Sequence, residues 1–378
     1  MRLIIIIVVL VIASGVALAR WSRVEPDMAF SAQVEDVLLP EDDAGFARAR
    51  QVIPIRFPQD LGQHPEYKLE WWYYTGNLVD RRGQRFGFQL TFFRRGLAPG
   101  LPDRPSAWAT RQIYFAHFTI TDAAGEQFYF RERFSRGSPG LAGAQAEPYR
   151  VWLDDWQAVS AGPEQVRLKA QTEEVALDLR LTPRKPVVLH GDQGLSKKGE
   201  GEGNASYYYS FTRNEAVGTV TTPRGRFDVT GLVWKDHEWS TSGLGAGVVG
   251  WDWFSLQLDD GREVMYFILR QADNSPAPLS GGTLVEANGT TRELSPKEVS
   301  IKVLNRWTSP HTGAVYPAEW QFTIPGEGID LHIRPLAADQ ELRVSTVYWE
   351  GAVQAEGTRQ GYGYIELTGY AGSMEGRM

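Results

Sequence analysis

The densest group of side chains that could carry out chemistry lies between Leu232 and Leu258. It places carboxyl and imidazole groups among indole rings, with a glycine-rich loop in the middle: Asp236, His237, Glu238, Asp252, Trp234, Trp239, Trp251 and Trp253. Buried carboxyls and imidazoles are common proton donors and acceptors in enzymes, because burial shifts their pKa values. The stretch is therefore a candidate acid–base site in aromatic surroundings.

Strand geometry limits which of these groups can act together. If residues 234–239 are extended, His237 and Trp239 share one face and Asp236 and Glu238 share the other, so only one pair can face a given cavity. In the next strand, Asp252 falls in register with apolar residues and should be buried, with a raised pKa that keeps its proton. The alternatives are a structural Asp252 paired with an arginine or a backbone donor, and a structural His237.

Several other kinds of catalytic site lack support in the sequence. The run from His237 to Thr241 has no second histidine four residues on, so the helical zinc-protease motif is missing, and a metal would need distant histidines such as His117, His190 or His311. No nucleophile elbow, phosphate loop or dinucleotide fingerprint occurs. We therefore predict neither a metal nor a cofactor.

A second aromatic cluster runs from Glu70 to Leu78. On a strand, Glu70, Trp72 and Tyr74 face one way and Trp71 and Tyr73 the other, so both surfaces carry rings. A barrel wall pressed against a second domain would bury both surfaces. One face could line a ligand site, and plain core packing is the alternative.

The elements that must position these clusters are strands. Apolar residues alternate with polar ones in runs such as 86–92 and 175–181, which is the period of a half-buried strand. Asp260-Gly261 and Asn288-Gly289 each separate two such runs and predict hairpins. With frequent glycine turns and no convincing amphipathic helix, the pattern predicts an all-β fold of antiparallel barrels or sandwiches. The aromatic load favours a barrel with a cavity.

A weak similarity between two parts of the sequence favours two related domains. Trp72-Tyr73 with its following turn and alternating strand resembles Trp253-Phe254 with its own turn and strand. The alternative is that aromatic-rich hairpins simply look alike.

Composition narrows the function classes. The chain has 378 residues, which suggests two domains, and a net charge of −7 without long basic runs, which argues against nucleic-acid binding. With no cysteine, it has no disulfide, thiolate zinc site, iron–sulfur cluster or cysteine nucleophile. Its 13 Trp, 15 Tyr and 17 Phe residues point instead to an aromatic interior.

The N-terminus indicates export. Residues 3–19 form one apolar run after Met1 and Arg2 and end in Ala17-Leu18-Ala19, which is typical of a cleaved signal peptide. The alternative is an uncleaved anchor in the inner membrane, since the run is just long enough to cross a bilayer. Either way we expect a periplasmic or secreted protein, with residues 20–45 as a linker.

The sequence resembles the AttH-like and carotenoid 1,2-hydratase (hydroxyneurosporene synthase) group of lipocalin-like proteins. Five motifs in the same order carry the resemblance: EWWYYTGNL at 70–78, DHEWS at 236–240, GWDWF at 250–254, YWEGAV at 348–353 and GYGYIELTGY at 361–370. It implies two tandem lipocalin-like (calycin) antiparallel β-barrel domains, which we place at residues 46–235 and 236–378. It also implies a hydrophobic cavity and, for exported members, a link to ABC-transporter components.

The hydratase branch of this group adds water to a terminal double bond of an acyclic carotenoid. The resemblance implies Asp252 as the acid, Trp239 together with Trp253 as the rings that stabilise the cation, and His237 as the group that handles water. Aromatic ligand contacts would come from rings inside two of these motifs, namely Trp72, Tyr74, Trp251, Trp253 and Phe254.

Three functions follow as hypotheses. The first is an exported carrier that binds an extended hydrophobic ligand, such as an isoprenoid, carotenoid or other lipid. The second is a cofactor-free hydratase or hydrolase acting on such a ligand through Asp252 and His237. The third is a scaffold that binds another envelope protein through exposed sheet edges.

Overall fold

Strands with the predicted two-residue alternation form nearly all of the regular structure in the computed structural model, which describes residues 43–99, 106 and 109–375. The expected signal peptide or anchor at 1–19 lies outside the described residues, as does the expected linker at 20–45 except for its last three residues. No helix in the described ranges has the length and apolar character needed to span a bilayer.

Two antiparallel sheets contain all the strands of the described part of the chain. The first sheet contains β1 (Leu69–Asp80), β2 (Arg85–Gly96), β3 (Gln112–Asp122), β4 (Gln127–Arg136), β5 (Ala142–Gln145), β6 (Arg150–Leu153), β7 (Trp156–Gly162), β8 (Gln165–Gln171), β9 (Ala176–Pro183), β10 (Val188–Leu189), β11 (Leu195–Lys197), β12 (Ala205–Thr222) and β13 (Gly225–Ser240). The second contains β14 (Val248–Leu258), β15 (Glu263–Gln271), β16 (Gly281–Val285), β17 (Thr291–Leu294), β18 (Ser300–Thr308), β19 (Val315–Ile324), β20 (Ile329–Pro335), β21 (Glu341–Arg343), β22 (Val347–Gly357) and β23 (Gly361–Leu367). Short 3₁₀ helices lie at Gln59–Leu61, Ala123–Gly125 and Pro325–Glu327.

The strand order confirms the all-β, antiparallel prediction. In the first sheet the order is β4-β3-β2-β1-β13-β12-β9-β8-β7-β6-β5, and β10 and β11 also pair with β12. In the second it is β17-β16-β15-β14-β23-β22-β20-β19-β18, and β21 pairs with β22. The first sheet is a nearly closed barrel and the second is a half-barrel, so the second domain is more open than the closed barrel we expected.

The predicted hairpins form where their turn residues stand. Asp260-Gly261 joins β14 to β15, and Asn288-Gly289 joins β16 to β17. The change from the first sheet to the second lies between Ser240 and Val248. The predicted boundary after residue 235 falls inside β13, because this strand stays paired with β1 up to its last residue.

Two faces of the first sheet are buried, for different reasons. The side chains of Phe86, Phe88 and Leu90 point into the first barrel and join its core. Residues on the opposite face of this sheet contact the second sheet. Tyr73 of β1, for example, packs edge-to-face on Trp253 with ring centroids 5.3 Å apart. This is the arrangement that rings on both faces of 70–78 predicted, and it leaves little exposed surface on the central strands.

The close approach of the sheets requires a glycine in β2. A Cβ atom on Gly87 would lie 2.3 Å from the Cβ of Ala352 in β22, so one sheet would have to move. We expect Gly87→Ala to lower the free energy of unfolding by about 1–3 kcal/mol, the usual cost of overpacking. Urea denaturation measures this. Gly326→Ala is the control, since a Cβ there meets nothing within 4 Å. Equal stability of the two variants would contradict the close packing.

Candidate functional site

A cavity of about 180 Å³ lies where the two sheets meet. Most of its wall is aromatic or apolar, and both sheets supply strand residues to it. From the first sheet these are Leu69, Trp71, Tyr73, Phe93, Phe115, His117, Tyr208, Asp236, Glu238 and Ser240. From the second they are Trp251, Trp253, Phe267, Leu269, Tyr348 and Glu366, while Lys198, Ser242, Gly243, Leu244, Thr346, Thr368 and Met374 complete the wall. We call this space the inter-sheet pocket.

A pair of carboxyl groups lies on the second-sheet wall. Glu366 faces the pocket and is directly opposite Glu350 across β22 and β23, and the two side chains share a hydrogen bond. Glu350 also accepts hydrogen bonds from the Tyr73 hydroxyl (3.0 Å) and Gln89 Nε2 (2.8 Å), and the Trp251 indole donates to Glu366. Burial, and then the charge of its neighbour Glu366, raises the pKa of Glu350 well above its usual range.

Burial also raises the pKa of Glu366, although the hydrogen bonds from Glu350 and Trp251 oppose this. Two carboxylates in contact cannot both ionise without strong repulsion, so at neutral pH the pair retains at least one proton. The retained proton lies on Glu350, which donates the hydrogen bond to Glu366, so Glu366 presents an acidic proton to a bound molecule when that proton shifts across the bond.

A third carboxyl, Asp236, lies on the first-sheet wall. It accepts hydrogen bonds from the Trp234 indole (2.6 Å), the Tyr208 hydroxyl (2.8 Å) and the Ser210 hydroxyl. Burial raises its pKa to about 7, against the effect of these donors. Since three donors and no acceptor surround it, its surroundings suit the carboxylate form, and at neutral pH a large share of molecules carries that form.

A chain of polar groups leads from the pocket towards the surface. His117 Nδ1 lies 2.6 Å from the Tyr348 hydroxyl, and His117 Nε2 lies 2.9 Å from Glu132 Oε1. Glu132 is partly exposed and accepts a hydrogen bond from the Ser345 hydroxyl at 2.5 Å. Tyr348 and His117 both line the pocket, so this carboxylate–imidazole–phenol chain can carry a proton between the pocket and solvent.

The predicted catalytic residues His237 and Trp239 lie on the other face of β13. They point towards the end of the first barrel covered by residues 43–68, together with Trp72, whose ring stacks on His237 at 4.7 Å between centroids. Tyr74 likewise belongs to the barrel core. The strand alternation was predicted correctly, but the pair that meets the inter-sheet pocket is Asp236 and Glu238.

Asp252 also lies outside the pocket wall. In β14, the side chains of Trp251 and Trp253 line the pocket, where the predicted ligand contacts would have to lie. Asp252 and Phe254 point the other way, into the half-barrel core. There Asp252 accepts hydrogen bonds from Arg270 Nε (2.9 Å) and the Tyr370 hydroxyl (3.0 Å). Burial raises its pKa to about 6, against the charge of Arg270. Asp252 thus has the arginine partner that the structural alternative required.

His237 belongs to a buried ionic cluster centred on Glu70. Glu70 Oε1 lies 2.9 Å from His237 Nε2 and 2.7 Å from His64 Nδ1, and Arg94 Nε donates to Glu70 Oε2 at 2.7 Å. The side chains of His64, Glu70 and His237 are of the kinds that bind metals, and they lie close enough together to hold a metal ion. The guanidinium of Arg94 on the same carboxylate would repel a bound cation, and both imidazoles already contact that carboxylate. The contacts fit an ionic clamp that fastens the segment before β1 to β13.

The clamp has a predictable pH dependence. Burial by itself would lower the pKa of His64, but Glu70 and Asp60 outweigh burial and raise the pKa to about 9. A raised histidine pKa stabilises the fold fully below the unfolded value near 6.5, and this contribution disappears as the pH rises through 9. We therefore expect the stability difference between the wild type and His64→Gln to shrink from pH 6 to pH 9.5 in urea denaturation. A difference that stays constant over this range would contradict a charged His64.

The carboxyl pair Glu350 and Glu366 was not singled out from the sequence. Both stand in motifs already noted for their pattern, YWEGAV and GYGYIELTGY, where a glutamate shares a strand face with tyrosines instead of charged residues. A lone carboxyl on an aromatic strand face was the available signal. Their contact could not be read from the sequence, because they lie on different strands.

Comparison with known proteins agrees with this architecture. A family model described as AttH-like matches residues 48–370. An AttH-type protein from Nitrosomonas europaea, known from a crystal structure, is 37% identical to this chain in sequence. The alignment covers 86% of this chain and 100% of the other, and the structures superpose with a TM-score of 0.77. Kievitone hydratase from Nectria haematococca is 16% identical, and the alignment covers 88% of this chain and 98% of the hydratase. The TM-score of 0.64 shows a shared fold. No curated protein matched the sequence. The chain belongs to the AttH-like family and has its lipocalin-like fold.

Proposed function

We propose that this protein binds an apolar, unsaturated small molecule in the inter-sheet pocket and hydrates it with its own carboxyl groups, without a cofactor. One observation carries the proposal. Glu366, which shares a proton with Glu350, and Asp236, which three donors surround, lie on opposite walls of one aromatic pocket. Carboxyls whose surroundings favour different protonation states are a common basis for assigning an acid and a base. A carrier needs only the apolar wall.

The size of the pocket limits what it can hold. A volume of about 180 Å³ is below the usual range for a whole drug-sized ligand. It suits a small ring or one end of a longer apolar chain. An isoprenoid or carotenoid would therefore place a terminal double bond between the walls and leave the rest of its chain outside.

The residues can perform hydration in balanced steps. The proton of Glu350 shifts across the hydrogen bond to Glu366, which donates it to one alkene carbon and leaves a cation on the other carbon. Rings that line the pocket, such as those of Trp251 and Trp253, stabilise that cation through their negative faces. Water adds to it, and Asp236 takes the proton that water loses. Glu366 is then ionised and Asp236 protonated, and proton exchange with solvent restores both groups.

Two further points support a hydratase over a hydrolase. The described pocket wall has no serine with a histidine partner that would suggest a nucleophile. A protein with the same fold is named kievitone hydratase, and this name supports a hydratase proposal over a hydrolase one. The scaffold hypothesis is less favoured, since it does not require a pocket with buried carboxyls.

The proposal is tested in two stages. Protein purified from its native envelope is first analysed by native mass spectrometry, and the bound ligand is extracted and identified. The protein is then incubated with farnesol, lycopene and the extracted ligand in H₂¹⁸O, and products are analysed for one added water with the label. A labelled alcohol is the expected result. A bound ligand without any product would overturn catalysis and leave the carrier hypothesis, while an empty pocket with no product would overturn both.

The proposed location is outside the cytoplasm, with a functional link to an ABC-transporter system. The apolar run at 3–19 and the family resemblance support this. Fractionation of the native host, with N-terminal sequencing of the mature chain, tests it. A mature N-terminus at Arg20 in the periplasm is expected for a signal peptide, and an intact N-terminus in the membrane fraction for an anchor. A full-length cytoplasmic protein would contradict export.

A further inference from the structure

The inter-sheet pocket has an unusual balance of charge and rings. Among the described residues that line it, three are carboxylic acids, nine have phenyl, phenol or indole rings, and one, Lys198, is a lysine or arginine. Lys198 is not free to neutralise the other acids, because its ammonium pairs with Glu238 at 2.9 Å. The wall therefore has more carboxyl groups that can ionise than it has cationic side chains to pair with them.

The position of Lys198 shows what these rings can accept. Its ammonium lies 5.1 Å from the centroid of the Tyr208 ring and 5.0 Å from that of Phe267. Both distances are within the range of a cation–π contact. Such contacts are stronger where water is excluded. An ammonium is thus already bound between two rings and a carboxylate at one side of the pocket.

We infer that the inter-sheet pocket is selective for cations, and that an apolar ligand carrying a quaternary or protonated tertiary ammonium binds it more tightly than a neutral ligand of the same shape. The inference rests on the proposed function, since both use this pocket and the ammonium imitates the cation formed during hydration. It requires binding alone and no turnover.

The carboxyls make this selectivity depend on protons. A cation beside Glu366 favours its ionised form, because opposite charges lower the pKa of an acid. The groups that face Glu366 are Glu350 from β22, the Trp251 indole from β14, and Glu238 with its partner Lys198 from the first-sheet side, together with three phenols that interact with its charge: Tyr73 from β1, Tyr348 from β22 and Tyr364 from β23. Since Glu350 and Glu366 share a proton, cation binding should expel it. Affinity for a permanent cation should therefore rise with pH.

Benzyltrimethylammonium and neopentylbenzene test this, because they have the same shape and differ in charge. We would titrate both into the full protein by tryptophan fluorescence, and the cation also by calorimetry in two buffers of different ionisation enthalpy. We expect the cation to bind at least about tenfold more tightly and to release protons. Equal or weaker binding of the cation, or no binding of it, would overturn the inference even if the protein hydrates alkenes.

Variants separate the pocket from other causes. Glu366→Gln should remove most of the selectivity and reduce proton release to the part that Asp236 contributes, and Lys198→Met should strengthen cation binding by removing the competing ammonium. Asp252→Asn is the matched control, a buried carboxyl outside the pocket wall, and should leave the selectivity unchanged. Loss of selectivity in Asp252→Asn, or unchanged affinity in Lys198→Met, would contradict the assigned site. If Glu366→Gln does not fold, Lys198→Met still provides the test.

Discussion

Glu366→Gln is expected to lower the rate of hydration by about 100- to 10,000-fold, the usual contribution of a positioned acid. Glutamine keeps the size of the side chain and can still accept the hydrogen bond from the Trp251 indole, but it has no acidic proton to give to a carbon atom. Affinity for a neutral ligand should change little, because the aromatic wall is intact. The measurement is the initial rate of labelled-alcohol formation, alongside a binding titration.

The pH profile of the wild-type rate provides a second check. Below about pH 7 the rate should fall because Asp236 becomes protonated and cannot accept a proton from water. At higher pH it should fall again as the Glu350 and Glu366 pair loses its remaining proton. Asp236→Asn should lower the rate and remove the acidic limb. Asp252→Asn is the control and should keep the pH profile, so a loss of turnover in that variant equal to that in Glu366→Gln would refute our assignment.

The second large effect is on stability. We expect Glu70→Gln to lower the free energy of unfolding by about 3–5 kcal/mol, because breaking a buried ion pair leaves its partners uncompensated. The side chains of Glu70 and Arg94 are completely buried, and Glu70 is, with Asp60, one of the two carboxylates that keep His64 charged. Arg94 also donates to the carbonyls of His64 and Tyr67, so the loss would loosen the segment before β1. Urea denaturation at pH 7 measures the change.

An exposed ion pair is the matched control for Glu70. Arg167 and Asp178 form a two-point contact at 2.6–2.7 Å on the outside of the first sheet, where both side chains are well exposed. Asp178→Asn should cost less than about 1 kcal/mol, as for most surface pairs. Similar losses in the two variants would mean that the Glu70 cluster contributes no more than a surface contact. Ligand binding in the inter-sheet pocket should persist in Glu70→Gln wherever the protein remains folded.

Local sequence determined the strands, their hairpins and the grouping of residues by face. Phe86, Phe88 and Leu90 are buried together as their alternation predicts, and Asp260-Gly261 makes the expected turn. The burial of Asp252 also followed from its register in β14. These features depend on contacts within a strand or a hairpin, so the two-residue period of the extended chain is enough to predict them.

Only the tertiary structure decided which face meets the pocket. The alternation within β13 separates Asp236 from His237 but does not say which sheet or segment covers either face, and both faces are buried here. Glu350 and Glu366 meet because β22 and β23 pair in one register, and His64 reaches His237 across a large separation in sequence. Side-chain periodicity records which residues point the same way. What they point at depends on the packing of distant segments, which a local pattern does not encode.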